Sequence, residues 1–251
     1  MTDNNHEEEL AEGTLLSHLI ELRSRLLIIA VAVLVAFIIL LPFSRDIFTL
    51  VSEPLREVLP GNAMIATAVA SPLLTPFKLT FFASLFLVMP VVLFQAWNFI
   101  APGLYKNEKR FAIPLLATSI VLFYLGIAFA YFVVFPLIFG FFTSIAPEGV
   151  EVQTDITQFL DFITTIVFAF GIAFEVPVAT VLIVWAGLTN IEKLAKARPY
   201  VFLMAFIAGM FLTPPDVISQ SLLAVPVYLL YELGIIMSKV FVSKKSESDS
   251  S

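Results

Sequence analysis

Glu175 sits inside an apolar run that carries no other charge between Asp161 and Glu192. An ionised carboxylate at the centre of a bilayer costs about 2.5–3.5 kcal/mol on insertion scales. Its side chain must therefore face other helices or a wet cavity, or take up a proton. It can act as a structural pin bonded to Gln95 or Asn98, or as a polar spot lining a substrate groove. Pro177 follows closely and lacks an amide, which frees a carbonyl one turn earlier and predicts a bend near Glu175.

Glu21 and Glu108 lie just outside apolar runs, among basic residues. Leu15, Leu19, Leu22 and Leu26 make an apolar stripe, with His18, Glu21 and Arg25 on the opposite face. Glu21 and Arg25 are then an i,i+4 ion pair worth about 0.2–0.5 kcal/mol. Glu108 falls in Lys106-Asn107-Glu108-Lys109-Arg110, where a solvated loop charge is the ordinary reading. Met210, Thr213, Asp216 and Gln220 place polar groups at the end of a hairpin. They either cap helices or receive a polar group from a partner's membrane helix.

Many chemistries are excluded. The chain has no cysteine, and its two histidines, His6 and His18, are confined to the N-terminal segment. Disulfides, thiolate metal sites and a histidine triad deeper in the chain cannot be built. No G-x-S-x-G, H-E-x-x-H or G-x-x-x-x-G-K-[ST] string occurs, so neither an enzyme nor direct use of ATP is expected. No cofactor and no metal are expected. A formal net charge of -6, with no basic stripe, argues against nucleic acid.

The elements that position these residues follow from composition. Of 251 residues, 59% are apolar and 14% charged, with a mean hydropathy of +0.97. A soluble globule of this size cannot hide so much apolar surface. An all-α polytopic membrane protein remains. Charges and punctuation bound six spans, near 24–42, 77–101, 112–138, 159–187, 199–212 and 217–236. They form one domain over 13–242, flanked by tails 1–12 and 243–251 that are expected to be disordered.

Thr75-Pro76 is the expected start of the second span, and Gly140 with Pro147 places the end of the third near Leu137. Gly187 should stop the fourth. Thr189–Glu192 reads as a capping box for a short surface helix, and Thr213–Asp216 as a second box. The last two spans are short. Pro199–Leu212 is 14 residues, about 21 Å of helix against about 30 Å of hydrocarbon.

With both termini inside, 11 of the 14 lysines and arginines fall on the inner side, and only Arg45, Arg56 and Lys78 on the outer. The acidic N-terminus offers no cleavable signal peptide, so the first span is the expected insertion signal. Asp46–Leu59 suits an amphipathic outer helix, with Ile47, Leu50, Val51, Leu55 and Val58 apolar and Pro54 within it.

Several strings resemble the TatC family, the core subunit of the twin-arginine protein translocase. They are Ser17–Leu26 (SHLIELRSRL), Pro72–Lys78 (PLLTPFK), Phe99–Tyr105 (FIAPGLY), Lys106–Arg110 (KNEKR), Phe129–Pro136 (FAYFVVFP), Gly171–Pro177 (GIAFEVP) and Phe211–Gln220 (FLTPPDVISQ). The resemblance, to enterobacterial-type members, runs from about Leu15 to Lys239. Asn107 departs from it, since relatives often carry histidine there.

The resemblance implies six helices in a concave, cup-like wall with both termini cytoplasmic, in the bacterial inner membrane. It implies a receptor for signal peptides bearing consecutive arginines, within a translocase that exports folded proteins on the proton-motive force. Glu21 and Glu108 would receive the arginine pair, with Arg23 in the same string and Phe99 at the inner end of the second span. Glu175 would line the concave face, and Pro54 matches a sensitive outer-loop position. Met210, Thr213, Asp216 and Gln220 would dock the single-span subunits TatA and TatB, in a receptor complex holding several copies of the chain. Two other readings compete: a small-solute transporter with Glu175 as a proton relay, and an intramembrane enzyme.

Overall fold

The computed structural model describes residues 3–58, 64–100, 109–145, 153–213 and 216–248. Its elements are α1 (Asp3–Leu40), α2 (Ser44–Val58), α3 (Ser71–Leu87), α4 (Met89–Ile100), α5 (Lys109–Phe129), α6 (Phe135–Ser144), α7 (Ile156–Ala173), α8 (Val176–Trp185), α9 (Ile191–Leu212) and α10 (Val217–Ser248). No named strand occurs among the described residues. Five helical stretches are long and apolar enough to cross a membrane, and the bent pair α3–α4 makes a sixth.

Helix ends depart from the sequence reading at several places. The first helix begins at Asp3 and the last reaches Ser248, so both run into stretches expected to be disordered tails. Span two starts at Ser71, one turn before Thr75, because Pro72 already occupies the first turn. Pro76 lies inside that helix. Span three does not stop near Leu137 but continues to Ser144. A π-helical turn at Ala130–Val134 absorbs the amide that Pro136 lacks. Gly187 ends span four as expected, with φ 71°. The Leu188 amide bonds to the Ile183 carbonyl at 3.1 Å and the Gly187 amide to Val184 at 3.0 Å, a Schellman closure.

The expected short surface helix is not separate. Asn190 caps α9 by accepting from the Lys193 amide at 2.8 Å, and the helix then runs unbroken through Pro199 to Leu212. The apolar part of α9 is still Pro199–Leu212; the first two turns carry Glu192, Lys193, Lys196 and Arg198.

The spans stand side by side. α1 packs on α3 and α4 at one edge; α3 and α5 meet α7; α10 packs along α8 and carries α9 at the other edge. The main core lies between spans three, four and six, around Phe135, Ile138, Ile166 and Phe170. Outward-facing side chains such as Leu34, Ile38, Phe132 and Leu203 stay exposed, as a lipid-facing surface requires.

Prolines shape two joints, and tyrosines close them. Pro90 cannot donate to the Phe86 carbonyl, and span two turns by 48° between α3 and α4. The Tyr124 hydroxyl donates to that Phe86 carbonyl at 3.0 Å. Pro54 likewise releases the Leu50 carbonyl of α2, and the Tyr131 hydroxyl donates to it at 2.8 Å. Two turns apart on span three, both tyrosines line one apolar cleft of about 400 Å³, beside Leu50, Phe86 and Phe135.

The segments that lead into α3 and α7 are stitched together. The Ile65 amide donates to the Thr154 carbonyl at 3.0 Å and the Ile156 amide to the Ile65 carbonyl at 2.9 Å. Asp155 accepts from the Thr67 amide at 2.9 Å, the Thr67 hydroxyl at 2.7 Å, and the amides of Thr157 and Gln158 at 2.8 and 3.2 Å. These bonds to the ionised form hold the Asp155 carboxyl down at about 2. Lys78 and Asp161 form an ion pair beside this knot.

Candidate functional site

α1 and the C-terminal end of α4 bring polar and charged groups together. Leucines on the apolar side leave Glu21 and Arg25 to face α4. Arg25 donates through Nε to the Glu21 carboxylate at 3.1 Å, with Nη2 on the same oxygen. Nη1 donates to Gln95 Oε1 at 3.0 Å, and Nη2 also reaches the Asn98 carbonyl at 3.1 Å. The expected helical pair is therefore present, and it extends to span two. Both side chains remain partly open to solvent, at 19% for Arg25 and 34% for Glu21. Arg23 and Phe99 are exposed nearby in sequence, on α1 and at the end of α4. Glu108 lies outside the described residues, as does Asn107.

Glu175 does not bond to Gln95 or Asn98; the Gln95 side-chain carbonyl and the Asn98 backbone carbonyl accept from Arg25 instead. It sits on the turn that separates α7 from α8, where its own amide reaches back to the Ile172 carbonyl at 3.0 Å. The helical break expected from Pro177 is thus at Glu175 itself. One carboxylate oxygen accepts from the buried Ser119 hydroxyl of α5. The other is buried and has no hydrogen-bond partner among the described residues. The Ser119 bond ties span three to span four through a polar contact between apolar helices.

At the α9–α10 hairpin the residues divide. Thr213 is not the start of a capping box. It closes α9, donating to the Gly209 carbonyl at 3.0 Å through its hydroxyl, and is buried. Asp216 caps α10 by accepting from the Ser219 amide at 2.6 Å. Its second oxygen and the Ser219 hydroxyl are buried without hydrogen-bond partners among the described residues. Gln220 packs against Gly209 between the two helices. Met210, 48% exposed, faces outward. The Pro54 side chain lies outside the described residues; its place in α2 is given by the backbone.

Two groupings escaped the sequence reading. Arg198 of α9 grips Glu232 of α10 bidentately, Nε to Oε1 at 2.7 Å and Nη2 to Oε2 at 2.9 Å. Tyr228 donates to the same carboxylate at 3.0 Å, and Tyr231 to the Leu194 carbonyl at 2.8 Å. In the sequence Arg198 and Glu232 are only charges flanking apolar runs. Their apposition needs the hairpin register, which spacing does not give. Asp155 is the other grouping. The signal was Asp-x-Thr ahead of an apolar run, an N-cap pattern. No group of three or more metal-ligating residues occurs among the described residues.

Fold and site together define a multi-pass helical membrane protein whose polar chemistry is gathered between α1 and the end of α4, at the α7–α8 turn and at the α9–α10 hairpin. Comparison with known proteins sharpens that class. Residues 17–226 match the family model TatC, described as Sec-independent protein translocase protein. The Sec-independent protein translocase protein TatC of Azotobacter chroococcum is 62% identical over 222 residues, 88% of this chain and 87% of that one. Its counterpart in Escherichia coli K12 is 58% identical over 231 residues, covering 92% and 90%. A crystal structure of the twin-arginine translocase receptor TatC superposes with a TM-score of 0.79 at 37% identity, over 89% of this chain and 98% of that one. The chain belongs to the TatC family.

Proposed function

We propose that this chain is the receptor for signal peptides with consecutive arginines and the core subunit of a translocase moving folded proteins across the bacterial inner membrane. The supporting observation is the cluster at the inner ends of α1 and α4, where Glu21 is held against a second span within reach of the cytosolic boundary. Glu21 and Glu108 receive the two guanidinium groups, bordered by Arg23 and Phe99. Guanidinium is a rigid planar fork that matches carboxylate oxygens two at a time, and an ammonium cannot reproduce that match.

Beyond the boundary, Glu175 and Ser119 give the wall a polar spot beside which the apolar part of the signal lies. The outer edge of α9 and α10, with Met210 exposed and Thr213, Asp216 and Gln220 behind it, docks the single-span subunits TatA and TatB. Pro54 shapes the outer helix α2, which packs on α3 and α6. Several copies assemble in the receptor complex. Both termini are cytoplasmic, which agrees with the basic residues gathered on that side. The proton-motive force drives transport.

The test is site-specific photo-crosslinking from positions around Glu108 and Glu21 to a twin-arginine precursor, with a twin-lysine control. Crosslinks to the basic dipeptide at both positions, lost in the control, are expected. Capture of the dipeptide elsewhere on the chain would end this reading.

A further inference from the structure

Resting on the receptor reading above, we propose that Arg25 is a positioning residue that sets the selectivity of the inner site for paired arginines over paired lysines. It is not itself a contact for the signal. Its guanidinium is held by three unlike acceptors: the Glu21 carboxylate, the Gln95 side-chain carbonyl at 3.0 Å and the Asn98 backbone carbonyl at 3.1 Å. Two of these acceptors belong to α4, so one side chain ties the carboxylate of span one to the inner end of span two.

The energetics favour a fixed strut over an idle surface pair. An exposed i,i+4 ion pair alone contributes about 0.2–0.5 kcal/mol and holds no single geometry. Here Arg25 is only 19% exposed, and its planar fork satisfies partners that lie 70 and 73 residues away in sequence. Lysine, a point charge with freely rotating donors, cannot span the same three acceptors. Both donors bond Oε1 of Glu21, which pins that oxygen beside the inner end of span two.

A carboxylate held at a fixed place and reach discriminates a planar fork from an ammonium. A loose one would accept either. The sign of the effect separates this role from its opposite. If Arg25 merely occupied the place of an incoming guanidinium, removing it would free Glu21, remove a like charge and strengthen binding. A positioning role predicts weaker and less selective binding, against that electrostatic gain.

The experiment uses the full chain in detergent micelles. The probes are two synthetic signal peptides identical except for Arg-Arg or Lys-Lys, with binding read by fluorescence anisotropy. Wild type should prefer the arginine peptide. Arg25→Gln should weaken arginine-peptide binding about tenfold or more, the loss expected for bonds to a charged group. Its arginine-to-lysine preference should fall toward one. Arg25→Lys should not restore the preference. Gln95→Leu, which leaves the charge pair intact and guards against a folding defect at Arg25, should lower the preference in the same direction.

An unchanged or tighter arginine-peptide affinity in Arg25→Gln, or an unchanged preference in both variants, overturns the positioning role while leaving the receptor reading standing. A wild-type protein with no preference between the peptides overturns both.

Discussion

The hydroxyl of Tyr131 donates to the carbonyl of Leu50 at 2.8 Å, the acceptor that Pro54 leaves without an amide partner. Tyr124 serves the Phe86 carbonyl beside Pro90 in the same way. In both places the tyrosine supplies the donor that proline lacks. Tyr131→Phe is expected to destabilise by about 0.5–1.5 kcal/mol, the net contribution of one hydrogen bond. In a Pro54→Ala background the amide returns and the same change should cost less. Thermal unfolding of the four proteins in one detergent measures the coupling.

Asp155 makes stability depend on acid. Its carboxyl is depressed to about 2 by the bonds from Thr67, Thr157 and Gln158. A depressed carboxyl stabilises the folded state fully above its unfolded value of about 3.9, and that contribution disappears as pH falls through the folded value. Wild type should therefore melt higher than Asp155→Asn at neutral pH. The two melting curves should converge between about pH 4 and 2. A gap that persists to low pH would remove the carboxylate from this role.

Gly234 lets α10 close on α8. A Cβ there would lie 3.0 Å from Pro177 Cα and 3.1 Å from Thr180 Cβ. Gly234→Ala should cost about 1–3 kcal/mol by overpacking. Thr180→Ala should relieve part of that loss but not all, because the Pro177 backbone stays in place. Chemical denaturation of the single and double variants reads the difference.

Arg198 and Glu232 join the last two helices. Arg198→Glu should loosen the hairpin, measured as faster proteolysis of the α9–α10 region in micelles. The exchange Arg198→Glu with Glu232→Arg should recover part of the resistance. Arg198→Lys should fall between wild type and Arg198→Glu, since an ammonium cannot bridge both carboxylate oxygens.

The six spans were legible because charge interrupts apolar runs, and that signal needs no tertiary knowledge. Helix ends were less so. Pro72 outcompeted Thr75-Pro76 for the first turn of span two, and the π turn carried span three past its Gly140 signal to Ser144. Glu21 and Arg25 were readable as neighbours because helical spacing brings them together. Their extension to Gln95 and Asn98 was not, since which span faces which is set by packing. For the same reason Glu175 was given the wrong partners. Ser119, one hydroxyl in a long apolar run, offered no pattern to distinguish it.

The elbow in span two is the shared property of two spans: proline withholds an amide at the bend, and a phenol from span three supplies the missing donor. Altering that one phenol therefore reaches span two through the backbone, not through side-chain packing alone.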